Sequence, residues 1–130
     1  MSVVPWMRGQ CLVWDYTCVD TFAASYIRQT SENPGAAAEL AAKRKHDKYK
    51  TIKGNGYHFI ALSTETCGVW CSEMKQFVKE VGYKMMERTG DPKTPGYFRQ
   101  TIALNIQRGN AASILGSLPD ASPMSEVFYL

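Results

Sequence analysis

The chain contains no apolar run of the ~18 residues needed to cross a bilayer, and its start, Met1-Ser2-Val3-Val4-Pro5, lacks the basic segment and apolar core of a signal peptide. Neither a spanning segment nor an export leader is expected, and the expected compartment is the cell interior. Cysteine is scarce. Cys11, Cys18, Cys67 and Cys71 are too few for a secreted disulfide scaffold and are expected as free thiols, mostly small buried side chains. A four-cysteine zinc site is not expected, because Cys67 and Cys71 are wider apart than the usual C-x2-C pair and Cys11 and Cys18 point to different strand faces. Excess charge is small as well: a net charge of +3 does not by itself argue for nucleic acid. No internal repeat and no second domain is visible.

What is present is an ordinary globular composition, 45% hydrophobic, 12% aromatic and 21% charged over 130 residues. A chain of this length buries roughly two-thirds of its unfolded surface and needs no staples. One domain over residues 1–118 is expected, followed by a mobile tail over 119–130 with two prolines and no period.

Ser2 to Trp6 predicts a short strand, Met7 to Gln10 a turn and Cys11 to Val19 a second strand, together a hairpin. Alternation puts Leu12, Trp14, Tyr16 and Cys18 on one face and Cys11, Val13, Asp15, Thr17 and Val19 on the other. Asp15 is then a carboxylate on a largely apolar face. Asp20 to Asn33 reads as a loop with one helical turn, closed by Pro34-Gly35. Ala36 to about Ile52 consists of strong helix formers with Gly54-Asn55-Gly56 as a stop, and Ala37, Leu40, Ala41, Lys48 and Ile52 fall broadly on one side. Tyr57 to Thr64 predicts a buried strand, and the order strand, helix, strand predicts a right-handed crossover with mixed or parallel pairing.

Ser72 reads as an N-cap ahead of an amphipathic helix carrying Met74, Phe77, Val78, Val81 and Met85 and ending near Gly90. Thr94 and Pro95 suit the N-cap and first turn of a last helix through about Leu115, with Phe98, Ile102 and Ile106 on one stripe and Leu104, Ala111, Leu115 and Leu118 on another, and Gly109-Asn110 as a candidate kink. The pattern as a whole predicts an α/β fold with a small mixed sheet of three to four strands flanked by helices.

Charge is concentrated in one place. Lys43, Arg44, Lys45, Lys48, Lys50 and Lys53 stand against the single acid Asp47, a surplus of +5 on eleven residues. Lys45 and Lys48, three apart, are neighbours on the predicted helix. A strand carboxylate and two helix lysines are the parts a metal-assisted phosphodiesterase needs: oxygen ligands for Mg²⁺, and a cation to stabilise phosphorane charge or help deprotonate the attacking water. A strand Asp is more often a turn or edge residue, and a basic helix face is more often just solvated. Arg99 and Arg108 would extend the basic surface. Asp20 lies on the opposite strand face from Asp15, and Glu39 and Glu65 read as surface or capping residues. His58 reads as a core residue, His46 as a solvated helix residue able to approach phosphate, and Trp6, Trp14 and Tyr16 as core aromatics rather than base-stacking platforms.

The stretch Pro5-Trp6, Gly9, Leu12-Val13-Trp14-Asp15-Tyr16-Thr17-Cys18, Asp20-Thr21-Phe22, then Ala36-Ala37-Ala38-Glu39 and Lys45-His46-Asp47-Lys48-Tyr49 resembles the C-terminal region of invertebrate retroelement reverse-transcriptase polyproteins. It is also similar to the restriction-like endonuclease of site-specific non-LTR retrotransposons, a branch of the PD-(D/E)xK superfamily. The resemblance covers most of residues 3–118. It implies a restriction-endonuclease-like fold and Mg²⁺- or Mn²⁺-dependent DNA cleavage during element insertion. DNA and a larger reverse-transcriptase polyprotein are the implied partners, with no membrane, and the nucleus the implied location. Asp15, Lys45 and Lys48 are the implied catalytic residues, Asp15 the metal ligand, and Lys43, Arg44, Lys45, Lys48 and Lys50 the DNA contacts. Thr17 stands where the commoner pattern has its lysine, so the basic role passes to the helix, as in the retroelement branch. The family's Pro-Asp pair, about a dozen residues before the second acid, would fall just before Met1, so the chain is expected to begin after its first metal ligand.

Overall fold

The computed structural model describes residues 1–2 and 4–118, so the expected tail lies outside the described residues. They divide into two compact units, Met1–Val78 and a second from Lys79 onward, with the boundary inside a helix.

The first unit is a three-stranded mixed sheet with helices. Strands β1 (Pro5–Met7) and β2 (Gln10–Val19) form an antiparallel hairpin in which Met7 pairs with Gln10. The turn is tighter than the predicted Met7–Gln10 segment. Arg8 and Gly9 both have positive φ, 49° and 76°, the two-residue turn whose twist matches that of flanking strands. Ser2, ahead of the shortened strand, still donates its N–H to the Leu12 carbonyl at 2.7 Å, and its Oγ accepts from the Leu12 N–H at 2.7 Å. Strand β3 (His58–Glu65) pairs with β2 in parallel, Asp15 opposite Ala61, giving the order β1-β2-β3.

Between β2 and β3 come α1 (Ile27–Glu32), α2 (Ala36–Lys48) and α3 (Lys50–Gly54). The expected single turn in the loop is α1. The long basic helix is broken at Tyr49, whose φ of −103° and ψ of 28° leave the helical region. Its buried face is Ala37, Ala38, Ala41 and Ala42. Side chains this small let the helix backbone lie close to the sheet, and Ala61 on β3 is fully buried. Gly35, at φ 86°, opens α2 where a Cβ would meet Val69 Cγ1 at 3.0 Å.

After β3 the chain turns at Gly68 and folds back. Glu65 and Val69, then Cys71 and Ser63, share backbone bonds along the free edge of β3. Helix α4 (Ser72–Thr89) follows. Cys71, not the expected Ser72, holds the cap: its carbonyl accepts from Lys75 N–H and its Sγ from Met74 N–H. Ser72 instead donates to Glu39 from its N–H, at 2.6 Å, and from its hydroxyl. Leu12, Phe59, Ile60, Trp70, Met74 and Val78 complete the core of this unit.

The second unit is a helical hairpin of the remainder of α4 and α5 (Thr94–Gly116). The Gly90 turn is held by Lys93 N–H to Asp91 and by the Thr89–Thr94 hydroxyl pair. Thr94 is already helical; the cap position falls to Lys93, whose side chain makes no capping bond. Gly109-Asn110 lies within the continuous helix α5. Phe98, Ile102 and Ile106 are half-buried, whereas Leu104, Leu115 and Leu118 are exposed. No described helix is long and apolar enough to cross a membrane.

Candidate functional site

Asp15 lies at the middle of β2 on the face that α2 covers, so it is only about a third exposed: 30% for its side chain against 23% for that of Lys45. Lys45 Nζ donates to Asp15 Oδ2 at 2.6 Å. The carboxyl is held below the ordinary carboxylate range, chiefly by this bond, with burial acting the other way. A hydrogen bond from the Tyr49 side chain and the charges of Lys45 and Lys48 lower it further. The break after Lys48 therefore has a tertiary reason: Tyr49 turns toward Asp15 and packs its ring 5.1 Å from Phe59. Asp15, Lys45, Lys48 and Tyr49 form one group; the resemblance includes Tyr49 in its lysine motif but assigns it no role.

The other basic residues differ in their surroundings. Arg44 donates to the Tyr26 hydroxyl at 2.6 Å and lies over its ring. Lys50 pairs with Asp47 at 3.2 Å with both side chains exposed, a contact of little energy. Lys48 sits over the Tyr49 ring at 5.1 Å. Lys43 is exposed along α2 beside Glu39 and Leu40.

Several expectations are corrected. His46 is not a solvated residue: its Nε2 lies 2.6 Å from Glu73 Oε2, its ring meets Phe59 edge-on, and its Nδ1 is buried without a partner among the described residues. Trp14 and Tyr16 are 43% and 45% exposed and belong to the open face rather than the core, although Tyr16 reaches Thr64 at 3.0 Å. Cys18 and Cys67 are exposed; of the four free thiols only Cys71 is buried, and burial raises its pKa.

The spare carboxylates are structural. Glu65, 1% exposed, accepts from the N–H groups of Ala37 and Ala38 at 3.0 and 3.4 Å, an anion on the positive end of α2. Asp20 accepts from Phe22 N–H, and Thr21 and Thr66 bond to each other, joining the chain beyond β2 to the turn after β3. The Asp20-Thr21-Phe22 segment is thus explained by chain geometry.

A hard divalent ion takes six or more oxygens, usually with more than one carboxylate. Here one carboxylate is present, an ammonium already sits on it, and the described residues contain no group of three or more His, Cys, Asp or Glu side chains suited to a metal. These residues alone do not fit Mg²⁺ or Mn²⁺. No family model, no curated protein and no solved structure matches this chain.

Proposed function

We propose that the first unit engages the phosphodiester backbone of DNA along α2 and belongs to the restriction-like endonucleases of retroelement polyproteins, holding the lysine side of a cleavage site. The supporting observation is the convergence of Lys45, Lys48 and Tyr49 on the half-buried Asp15 carboxylate. In this reading Asp15 orients Lys45, and Lys45 and Lys48 place positive charge against a phosphodiester oxygen, where it stabilises the charge that develops on displacement. Cleavage with Mg²⁺ or Mn²⁺ requires a further carboxylate beside Asp15. The ammonium on the single carboxylate favours binding without cutting for the residues described.

Two measurements test this. Log affinity for a DNA duplex should fall linearly with log salt, with a slope of about −0.9 per phosphate neutralised, and Lys48→Ala should reduce the slope by about one. A flat response removes the nucleic-acid reading altogether. Plasmid cleavage with Mg²⁺ or Mn²⁺ should be feeble for this chain. It should appear when a Pro-Asp-Gly extension is placed ahead of Ser2, and vanish again with Asp15→Ala or Lys48→Ala. Robust cleavage that survives Asp15→Ala would mean the site is elsewhere; no cleavage by a folded, DNA-binding extended chain would leave a binding module.

A further inference from the structure

At the end of the sheet where β2 and β3 begin, the first unit has an open cleft of about 430 Å³, within the range of small-ligand sites. Gln10 from the start of β2, Lys53 from α3 and Tyr57 and His58 from the start of β3 line it, with Phe59, only 3% exposed, as an apolar wall. The His46–Glu73 pair forms another wall, with the Glu73 carboxylate engaged by the His46 ring at 2.6 Å. None of Gln10, Lys53, Tyr57 or His58 has its side chain engaged by a hydrogen bond or ion pair from another described residue. Polar side chains of four kinds thus converge on one space without satisfying one another.

We propose that this cleft takes one unstacked nucleotide of a DNA strand whose backbone is held along α2; this rests on the backbone reading above. The chemistry is complementary group by group. Lys53 offers a cation to a phosphate. Tyr57, 39% exposed at the rim, offers a ring face on which a base stacks. Gln10 offers both a donor and an acceptor, and His58 one of each when neutral, to a base edge. The charge track leads to the same place, because the run from Lys43 to Lys50 continues into Lys53 at the cleft wall. The cleft also lies within reach of the Asp15 group. Leu12 faces His58 and Asp15 faces Ala61, three residues further on, about 10 Å at ~3.3 Å per residue. A base paired and stacked in a duplex cannot enter such a cleft without being flipped, so single-stranded DNA is the preferred form.

The test compares a fluorescein-labelled single-stranded oligonucleotide with the corresponding duplex by anisotropy, across a matched series of salt concentrations, with the full chain. Tyr57→Ala should weaken single-strand binding by about tenfold and duplex binding by less than about twofold, the ring being worth one stacking contact. Tyr57→Phe, which keeps the ring, should restore binding to within about twofold and guards against a folding defect in the alanine variant. Lys53→Ala should also weaken single-strand binding and lower the salt slope by about 0.7, whereas Tyr57→Ala should leave the slope unchanged. If the chain binds DNA with the expected salt slope but Tyr57→Ala changes nothing, or weakens both forms alike, the cleft proposal is overturned and the backbone reading stands. If the unaltered chain binds neither form, both are wrong.

Discussion

The Asp15–Lys45 bond carries a stability prediction that can be worked from its geometry. An ion pair in full solvent is worth ~0.2–1 kcal/mol and a hydrogen bond to a charged group ~1.5–3 kcal/mol. With side chains 30% and 23% exposed and a separation of 2.6 Å, this pair lies between the two, at about 1–2 kcal/mol after allowance for solvent screening. Asp15→Asn keeps the shape and an acceptor oxygen but removes the charge, so it should lower the urea midpoint at pH 7 by about 0.5–1 M for a denaturant slope of ~2 kcal/mol per M. The pH dependence has a fixed sign. The folded carboxyl titrates below its unfolded value of about 3.9, so the contribution is complete above that value and is lost as pH falls through the folded one. The gap between the two proteins should therefore be full at neutral pH and shrink below about pH 4. A double-mutant cycle with Lys45→Met isolates the pair, and its coupling energy should also be about 1–2 kcal/mol. Coincident midpoints for Asp15→Asn and the unaltered chain at pH 7, or a coupling of zero, would show that the bond holds nothing and that Asp15 does not orient Lys45.

Glu65→Ala should cost about 2–3 kcal/mol in urea unfolding, since two N–H groups at the start of α2 lose their acceptor; unchanged stability would refute the cap. A thiol reagent at pH 8 should label Cys18 and Cys67 rapidly, Cys11 more slowly and Cys71 only on unfolding; rapid labelling of Cys71, read by peptide mass, would contradict its burial. Gly82→Ala, which by helix propensity alone would stabilise by ~1 kcal/mol, should instead destabilise by about 1–2 kcal/mol, because its Cβ would lie 3.0 Å from Pro95 Cα. A rise in thermal midpoint would show that the two helices of the hairpin do not approach so closely.

The parts of this molecule legible in the sequence are those written in local patterns. Alternation along Cys11–Val19 and helix formers from Ala36 identified β2 and α2, and the strand–helix–strand order led to the parallel pairing of β2 with β3. Which face of β2 is covered was not legible, because the larger apolar groups, Leu12, Trp14 and Tyr16, lie on the face opposite Asp15 and favour burying that one. The choice is made by the alanine stripe of α2, which fits over Asp15's face and leaves Trp14 and Tyr16 open. The break at Tyr49 was hidden among helix formers, since its cause is the ring's contact with Phe59 and its bond toward Asp15, residues far away in the chain. His46 and Glu73 are 27 positions apart and belong to different helices; no spacing rule connects them. Ser72 has the residue type of an N-cap, but Glu39 engages its hydroxyl and its N–H, and the position before it takes over.

The same alanine stripe bears on the chemistry. Close approach of α2 to the sheet is what brings Lys45 within bonding distance of a carboxylate that is itself only a third exposed. A cation arriving at Asp15 has to displace an ammonium that is covalently part of the fold and so present at high effective concentration. A second carboxylate would change that balance. With Lys45 and Lys48 both facing Asp15, a second carboxylate would bring the group from net positive to neutral and weaken the repulsion that a divalent ion meets there. One carboxylate added beside Asp15 would supply the second acidic oxygen ligand that a hard divalent ion usually takes. Any cleavage gained on extension should be lost to Lys45→Ala as well as to Asp15→Ala, because Lys45 holds Asp15 and supplies the charge nearest to it.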